Sequence, residues 1–171
     1  MSKKLVAYFS HKGENYSKGK IVNLKKGNTE IAAEMISSII DADIFEIIAD
    51  KKYPIKYDNC IEIAKKELRE NSRPKLKDNI DIKEYDIIFV GYPNWWGTMP
   101  MPVWTFLEEK DFTNKKVLPF CTHEGSGLGK SESDIKKLTG GAEVLKGLAI
   151  NGSEVNNSEK QIKKWLEDSL K

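Results

Sequence analysis

Two adjacent tryptophans stand in a short segment that is bounded by Pro93 and Gly97. If the segment is extended, the rings of Trp95 and Trp96 point to opposite sides, and we expect at least one of them to be partly exposed. An exposed ring can stack on a planar ligand. The alternative is that both rings pack against the sheet edge or the next helix. Large aromatic side chains are seldom placed on surface loops, which favours stacking, with Asn94 as a polar neighbour.

A second candidate segment ends in Gly27-Asn28-Thr29, directly before a stretch with helical spacing of apolar residues. Small polar residues at a helix start cap free N–H groups, and the same place binds phosphate through those donors and the helix dipole. Ser10, at the end of the preceding apolar run, can add a hydroxyl, and Lys12 adds positive charge. The alternative is an ordinary helix cap next to a solvated basic loop.

A third candidate segment follows an apolar run that ends at Cys121. Its glycines permit close approach of a ligand to the backbone, and its side chains offer hydrogen bonds. The residues are Thr122, His123, Glu124, Gly125, Ser126 and Gly127. A thiolate–imidazole pair of Cys121 and His123 is conceivable, but a buried cysteine is the commoner case. With two histidines and no clustered ligands, we expect no metal site and name no catalytic residue.

Apolar runs and amphipathic stretches alternate along the chain, which predicts an α/β fold. The predicted strands are 5–9, 44–48, 86–92, 116–121 and 142–150. The predicted helices are 28–40, 59–70, 103–107, 131–138 and 158–170. The strands are continuously apolar, as in a parallel sheet that is covered on both faces. Ligands bind at the carboxyl ends of such strands, and all three candidate segments lie there.

The connection between the first strand and the first helix is unusually long, covering residues 10–27. Such connections normally take about 2–6 residues. The segment from Glu14 to Leu24 can form a small hairpin that turns near Lys18-Gly19. A loop of this length beside a ligand site is more often functional than neutral.

The length, charge and apolar content of the chain exclude several classes of protein. The chain has 171 residues, which suggests one domain, and 28 basic against 26 acidic residues give a net charge of +2. This balance does not favour nucleic-acid binding, and no apolar run approaches the length of a membrane span. The apolar run after Lys4 is too short for a signal peptide, so we expect a cytoplasmic protein whose two cysteines are free thiols.

The three segments together resemble the flavodoxin family. Tyr8-Phe9-Ser10 and Gly27-Asn28-Thr29 resemble the two parts of its phosphate loop, here split by an insertion, and 93–97 and 122–127 resemble its two flavin-ring loops. The resemblance extends over residues 5–170. It implies that residues 1–171 form a single three-layer domain, with a five-stranded parallel sheet in the order 2-1-3-4-5 and helices on both faces.

The resemblance also implies a noncovalently bound FMN. By position, Ser10, Asn28 and Thr29 hold the phosphate, and Lys12 is a further candidate for it. The residues implied for one side of the flavin ring are Pro93, Asn94, Trp95, Trp96 and Gly97. Those implied for the other wall are Thr122, His123, Glu124, Gly125, Ser126 and Gly127.

The family resemblance leaves more than one function open. We expect an electron-transfer protein that exchanges electrons with redox partner proteins or with a small-molecule donor or acceptor. The alternative is an FMN-dependent NAD(P)H oxidoreductase that acts on quinones or similar acceptors. Carrier flavodoxins are strongly acidic and this chain is not, but the chain has no separate dinucleotide fingerprint. A ligand-binding module without FMN is disfavoured by the polar phosphate residues and by the tryptophan pair.

Overall fold

A parallel sheet flanked by helices forms the centre of the protein, whose computed structural model describes residues 2–171. In chain order the strands are β1 (Lys4–Tyr8), β2 (Gly13–Ser17), β3 (Lys20–Leu24), β4 (Asp43–Glu46), β5 (Ile87–Pro93), β6 (Lys116–His123), β7 (Glu143–Val144) and β8 (Leu148–Asn151). The helices are α1 (Asn28–Ile40), α2 (Tyr57–Arg69), α3 (Met101–Glu108), α4 (Ser131–Leu138) and α5 (Glu159–Ser169), with a 3-10 helix over Gly152–Asn157.

The order of the main sheet is β4-β1-β5-β6-β7, and β8 also pairs with β6. Every pairing in this sheet is parallel. The predicted α/β class with a parallel sheet is therefore confirmed. The order corresponds to 2-1-3-4-5 when the β2–β3 hairpin is left out of the count and β7 and β8 are taken together. Among residues 2–171, none of the helices combines the length and the apolar character that spanning a lipid bilayer requires.

The prediction of one last strand over 142–150 is wrong, because the chain leaves the sheet between β7 and β8. The Gly147 N–H donates to Glu132 Oε2 at 2.8 Å, and the Lys146 carbonyl accepts from the Trp165 indole at 2.9 Å. Side chains thus bind backbone groups that a continuous strand would have given to the sheet ladder.

Two apolar clusters cover the two faces of the sheet. Successive residues of β1 alternate between them, with Leu5 in one cluster and Val6 in the other. The first cluster includes residues of α3 and α4, and the second includes residues of α1 and α5. Burial on both faces explains why the strands read as continuous apolar runs.

The predicted hairpin is present as β2 and β3. Its strands pair antiparallel, with Tyr16 opposite Ile21, and they join through Lys18 and Gly19. Both turn residues have positive φ, 49° and 83°, as a type I′ turn requires. The hairpin is a separate two-stranded sheet. Because an isolated hairpin is only marginally stable, its position depends on contacts with the rest of the protein.

Candidate functional site

A cavity of about 370 Å³ opens where β1, β5 and β6 end. This volume is in the range of small-molecule sites, and its place is the one expected for a parallel α/β sheet. It brings together parts of all three candidate segments. The predicted site residues that line it are Ser10, Asn28, Thr29, Pro93, Asn94, Trp95, Trp96, Thr122, His123, Glu124 and Ser126.

Four predicted site residues do not line the cavity: Lys12, Gly97, Gly125 and Gly127. Lys12 is exposed, and the backbone turns into the hairpin at the next residue, Gly13, where φ is +96°. The three glycines all have positive φ, so they shape the loops whose other residues reach the cavity.

The cavity has further walls that the sequence analysis did not identify. They consist of His11 and three hairpin residues, and of one face of α2. The residues are His11, Glu14, Asn15, Tyr16, Tyr57, Cys60, Ile61 and Ala64. The unusual length of the segment 10–27 is the sequence feature that could have predicted the wall formed by the hairpin. The spacing of the α2 residues predicts an apolar helix face, but not that this face borders a ligand site.

The amino end of α1 forms the polar end of the cavity. Its cap residue, Gly27, has no side chain to bind the first amide groups, and Ser10 Oγ accepts the N–H of Glu30 at 3.1 Å. A Cβ at Gly27 would lie 2.1 Å from Ser10 Oγ and 2.9 Å from the carbonyl oxygen of His11, so only glycine fits. The α1 dipole and its amide donors suit an anion such as phosphate.

Thr29 and Thr122 join this end to the end of β6. Their hydroxyl oxygens are 2.7 Å apart, and both residues are buried. A hydroxyl has one donor and two acceptor positions, so the pair keeps hydrogen-bonding capacity for a ligand.

Trp96 is displayed at the tip of a tight turn. Trp95 and Thr98 exchange backbone hydrogen bonds of 2.9 and 3.4 Å, with Trp96 and Gly97 between them. Both intervening residues have positive φ, 57° and 88°, as in a type I′ turn. Such turns prefer Asn-Gly, and a bulky residue at positive φ is strained. Backbone strain of this kind clusters at functional sites.

The two tryptophans have different surroundings. Trp95 packs edge-on against Phe9 and Tyr53, with ring centroids 5.2 and 5.1 Å away. Trp96 is 49% exposed, its indole N–H donates to the Ile61 carbonyl at 3.2 Å, and the Lys65 ammonium lies 5.3 Å from the ring centroid. One ring therefore supports the loop and the other is presented at the cavity.

Hydrogen bonds tie the tryptophan loop to the loop after β6. The Asn94 side chain donates to the Gly127 carbonyl at 2.8 Å and accepts the Gly97 N–H at 2.9 Å. The Gly97 carbonyl in turn accepts the Lys130 N–H at 2.7 Å. The bonds to the Gly127 carbonyl and from the Lys130 N–H cross between the loops, so the two walls of the cavity are held in a set geometry.

His123 and Glu124 supply opposite kinds of hydrogen-bonding group. His123 Nδ1 accepts the Gly125 N–H at 2.8 Å, and burial lowers the pKa of the imidazole, so the neutral ring carries its proton on Nε2. Glu124 Oε2 accepts the Lys18 N–H at 3.4 Å. Glu124 Oε1 is buried and has no hydrogen-bond partner among residues 2–171. A ligand with a hydroxyl or N–H group would satisfy it.

The two cysteines are not suited to nucleophilic chemistry. Burial raises the pKa of Cys60, which lines the cavity, to about 12, and it raises that of Cys121 to about 12 as well. Both are neutral thiols at physiological pH. His123 Nδ1, engaged by Gly125, does not act as a base toward Cys121.

Comparison with known proteins assigns the family. The sequence profile of a flavodoxin family matches residues 3–169. A candidate flavoprotein from Bacteroides eggerthii has a similar structure, with 29% identity, a TM-score of 0.80, and coverage of 100% of this chain and 99% of that one. A Lactobacillus acidophilus flavoprotein solved in complex with FMN has 27% identity and a TM-score of 0.67, with coverage of 92% and 98%.

More distant structures share the fold. Flavodoxin 2 from Bacillus cereus is 20% identical, with a TM-score of 0.53 and coverage of 98% of this chain and 99% of that one. No curated protein matches the chain. The profile match over nearly the whole sequence, together with the fold and the composition of the cavity, places this chain in the flavodoxin family.

Proposed function

We propose that residues 1–171 form a single domain that binds FMN noncovalently and transfers electrons through it. The observation that supports this most is the composition of the cavity. An amide-rich helix start, a displayed tryptophan and a polar loop with a free buried carboxylate oxygen border one space of about 370 Å³. A ligand with a phosphate, a hydroxylated linker and a flat ring uses all three.

The residues present fit that ligand. Ser10, which follows β1, would hold the phosphate together with Asn28 and Thr29 at the start of α1, where the helix dipole favours negative charge. Trp96 would contact the flat ring, and Glu124 Oε1 would accept a hydrogen bond from a hydroxyl or N–H group. When bound, FMN supplies the one- and two-electron chemistry that no side chain in the cavity provides.

The chain itself contributes binding, orientation and electrostatics. The hydrogen bonds of Asn94 hold both loops in place before a ligand arrives, which lowers the entropic cost of binding. Glu124 adds negative charge beside the cavity, while neutral His123 presents an N–H donor. These groups set how readily a bound redox group accepts electrons.

A comparison of FMN with riboflavin tests the proposed arrangement. The two molecules share the ring and the linker, and riboflavin lacks the phosphate. We expect FMN to quench tryptophan fluorescence with one-to-one saturation and riboflavin to bind at least about tenfold more weakly, as expected for lost bonds to a charged group. Equal affinity for the two ligands would contradict the phosphate site, and no binding of either would contradict the function.

A second candidate function is an FMN-dependent NAD(P)H oxidoreductase that acts on quinones or similar acceptors. One observation favours it: the net charge of +2, which lacks the acidic field of carrier flavodoxins. Anaerobic addition of NADH or NADPH to the FMN-loaded protein separates the candidates. Fast bleaching of the flavin absorbance supports the reductase, and no bleaching within minutes supports the carrier.

A further inference from the structure

The β2–β3 hairpin brings an aromatic side chain to the cavity. Tyr16 lines it and is 45% exposed. Its ring lies 6.4 Å from that of Tyr57, the first residue of α2, at an interplanar angle of 32°. A large aromatic side chain on a marginally stable hairpin gains little burial there, so packing does not account for its position.

Tyr16 is one of three aromatic side chains near α2 that line the cavity, the others being Tyr57 and Trp96. Tyr57 and Ile61 are one helical turn apart and both line the cavity. Trp96 also contacts α2, because its indole N–H donates to the Ile61 carbonyl at 3.2 Å. We call the rings of Tyr16, Tyr57 and Trp96 the aromatic platform.

The base of the hairpin is firmly attached to the start of α2. The Glu14 N–H donates to the Ile55 carbonyl at 3.0 Å, and Glu14 Oε2 accepts the Tyr57 N–H at 2.8 Å. Glu14 Oε1 also contacts the Lys56 ammonium at 3.1 Å. The bonds to Tyr57 and Lys56 hold the pKa of Glu14 below its usual value. Since the cap residue Lys56 gives α2 no side-chain cap, Glu14 does so from the hairpin.

The tip of the hairpin is attached more weakly, and to the opposite wall of the cavity. The Lys18 N–H reaches Glu124 Oε2 at 3.4 Å, and the Lys18 ammonium reaches Glu154 Oε1 at 3.2 Å. Both side chains of the ion pair are more than half exposed, and such pairs contribute little stability. The hairpin thus crosses from α2 to the loop after β6, held tightly at its base and loosely at its tip.

We propose that the hairpin completes the part of the cavity that binds the flat ring of the ligand. Tyr16 contacts that ring, and Lys18 acts as a latch, which means that its contacts with Glu124 and Glu154 hold the hairpin tip closed over the ligand. The flat ring of the ligand lies against the aromatic platform, and the hairpin tip keeps the ligand from leaving. This inference rests on the proposed function, in which that ring is the flavin of FMN. It assigns a binding role to residues outside the phosphate segments and the two ring loops.

The first test compares substitutions at paired positions of the hairpin. Tyr16→Leu removes the ring and keeps an apolar side chain, whereas Ile21→Ala truncates the cross-strand partner, which is exposed to a similar extent (46%). We expect Tyr16→Leu to raise the FMN dissociation constant about five- to tenfold, as for a lost aromatic contact. Tyr16→Phe and Ile21→Ala should stay within about twofold of wild type.

A spectroscopic readout separates ring contact from a general effect on the hairpin. Visible circular dichroism of bound FMN senses aromatic neighbours of the ring, so Tyr16→Leu should change that signal at full occupancy while Ile21→Ala leaves it unchanged. An equal loss of affinity in Tyr16→Leu and Ile21→Ala, or wild-type affinity and dichroism in Tyr16→Leu, would overturn the proposal. Failure of the wild-type protein to bind FMN would overturn the proposed function instead.

The second test concerns the latch. Lys18→Gln removes the ion pair with Glu154 and keeps a side chain of similar length. We expect FMN to dissociate about two- to fivefold faster from the variant. We also expect 0.5 M salt to speed dissociation from wild type more than from the variant, because only wild type has the exposed ion pair to be screened. Unchanged dissociation, with the same salt response in both proteins, would remove Lys18 from the proposal.

Discussion

Trp96 is a residue whose backbone conformation would be more stable with a different side chain. Its φ of 57° suits asparagine or glycine, yet the position carries the largest side chain available. The neighbouring Trp95, at negative φ, packs against Phe9 and Tyr53. Adjacent identical residues therefore have different surroundings, and we propose ligand contact for Trp96 and support of the loop for Trp95.

Substitution of each tryptophan tests this division. Trp96→Asn places a residue that tolerates positive φ in the same turn, so we expect the free energy of unfolding to change by less than about 1 kcal/mol. FMN affinity should fall at least about tenfold, because the stacking ring is lost. Trp95→Leu should lower the free energy of unfolding by about 2–4 kcal/mol. Denaturant unfolding measures the free energy of unfolding, and FMN titration measures the affinity. A larger loss of stability in Trp96→Asn than in Trp95→Leu, with a smaller loss of FMN affinity, would contradict the roles given to the two tryptophans.

His123 predicts a pH dependence of stability. Burial lowers the pKa of its imidazole below the ordinary value, whereas the unfolded chain titrates near about 6.5. As the pH falls through that value, the unfolded state takes up a proton that the folded state does not, and the free energy of unfolding decreases. His123→Asn keeps an acceptor for the Gly125 N–H without titrating. Between pH 7 and 5.5 we expect wild type to lose stability relative to this variant, and parallel curves would contradict the prediction.

At the scale of elements, the start of α1 depends on a close approach of two loops. Ser10, which follows β1, and Gly27, the cap residue of α1, come within contact distance although sixteen residues lie between them in the sequence. The β2–β3 hairpin fills that interval without displacing either residue. A helix start that is short of side-chain caps is thereby kept open for an anion.

Two glycine substitutions test this packing. At Gly27 a Cβ would meet Ser10 Oγ and the His11 carbonyl oxygen, whereas at Gly140 it would meet no atom within 4 Å. Gly27→Ala should lower the free energy of unfolding by about 1–3 kcal/mol and weaken FMN binding more than riboflavin binding. Gly140→Ala should leave stability within about 1 kcal/mol and both affinities unchanged. Equal effects of the two substitutions would contradict the packing described for α1.

The elements also show what local sequence can and cannot predict. The hairpin turn at Lys18-Gly19 and the bounds of α1 and α4 follow from local patterns, because turn chemistry and helical periodicity are short-range. The break between β7 and β8 does not, because it depends on Glu132 and Trp165, whose side chains bind the backbone from other helices.

At the scale of the whole molecule, the two apolar clusters share the strands of one sheet. Neighbouring β1 residues belong to different clusters, so loss of one face of the sheet disturbs the other. The cavity walls are likewise a property of the tertiary fold. The segments that end β1, β5 and β6 could be predicted, but the α2 wall with Tyr57 and Ile61 could not, because only tertiary packing places α2 beside those ends.

This shared core predicts cooperative thermal unfolding that is linked to ligand binding. When FMN is present at about 100 times its dissociation constant, its binding to the folded state raises the free energy of unfolding by about 2.7 kcal/mol. For a chain of this size that gain corresponds to a rise in Tm of about 5–10 °C, with a single transition retained. Calorimetry with and without FMN measures it, and riboflavin at the same concentration should give a smaller rise. An unchanged Tm would contradict binding to the folded protein.

The visible absorption spectrum of the protein, recorded after reconstitution with FMN and removal of excess ligand by gel filtration, tests the central claim most directly. We predict a retained flavin spectrum at one FMN per chain, with tryptophan fluorescence quenched in proportion to occupancy. A protein fraction that elutes folded but without flavin absorbance, and with its fluorescence unquenched, would contradict the assignment of the cavity as an FMN site.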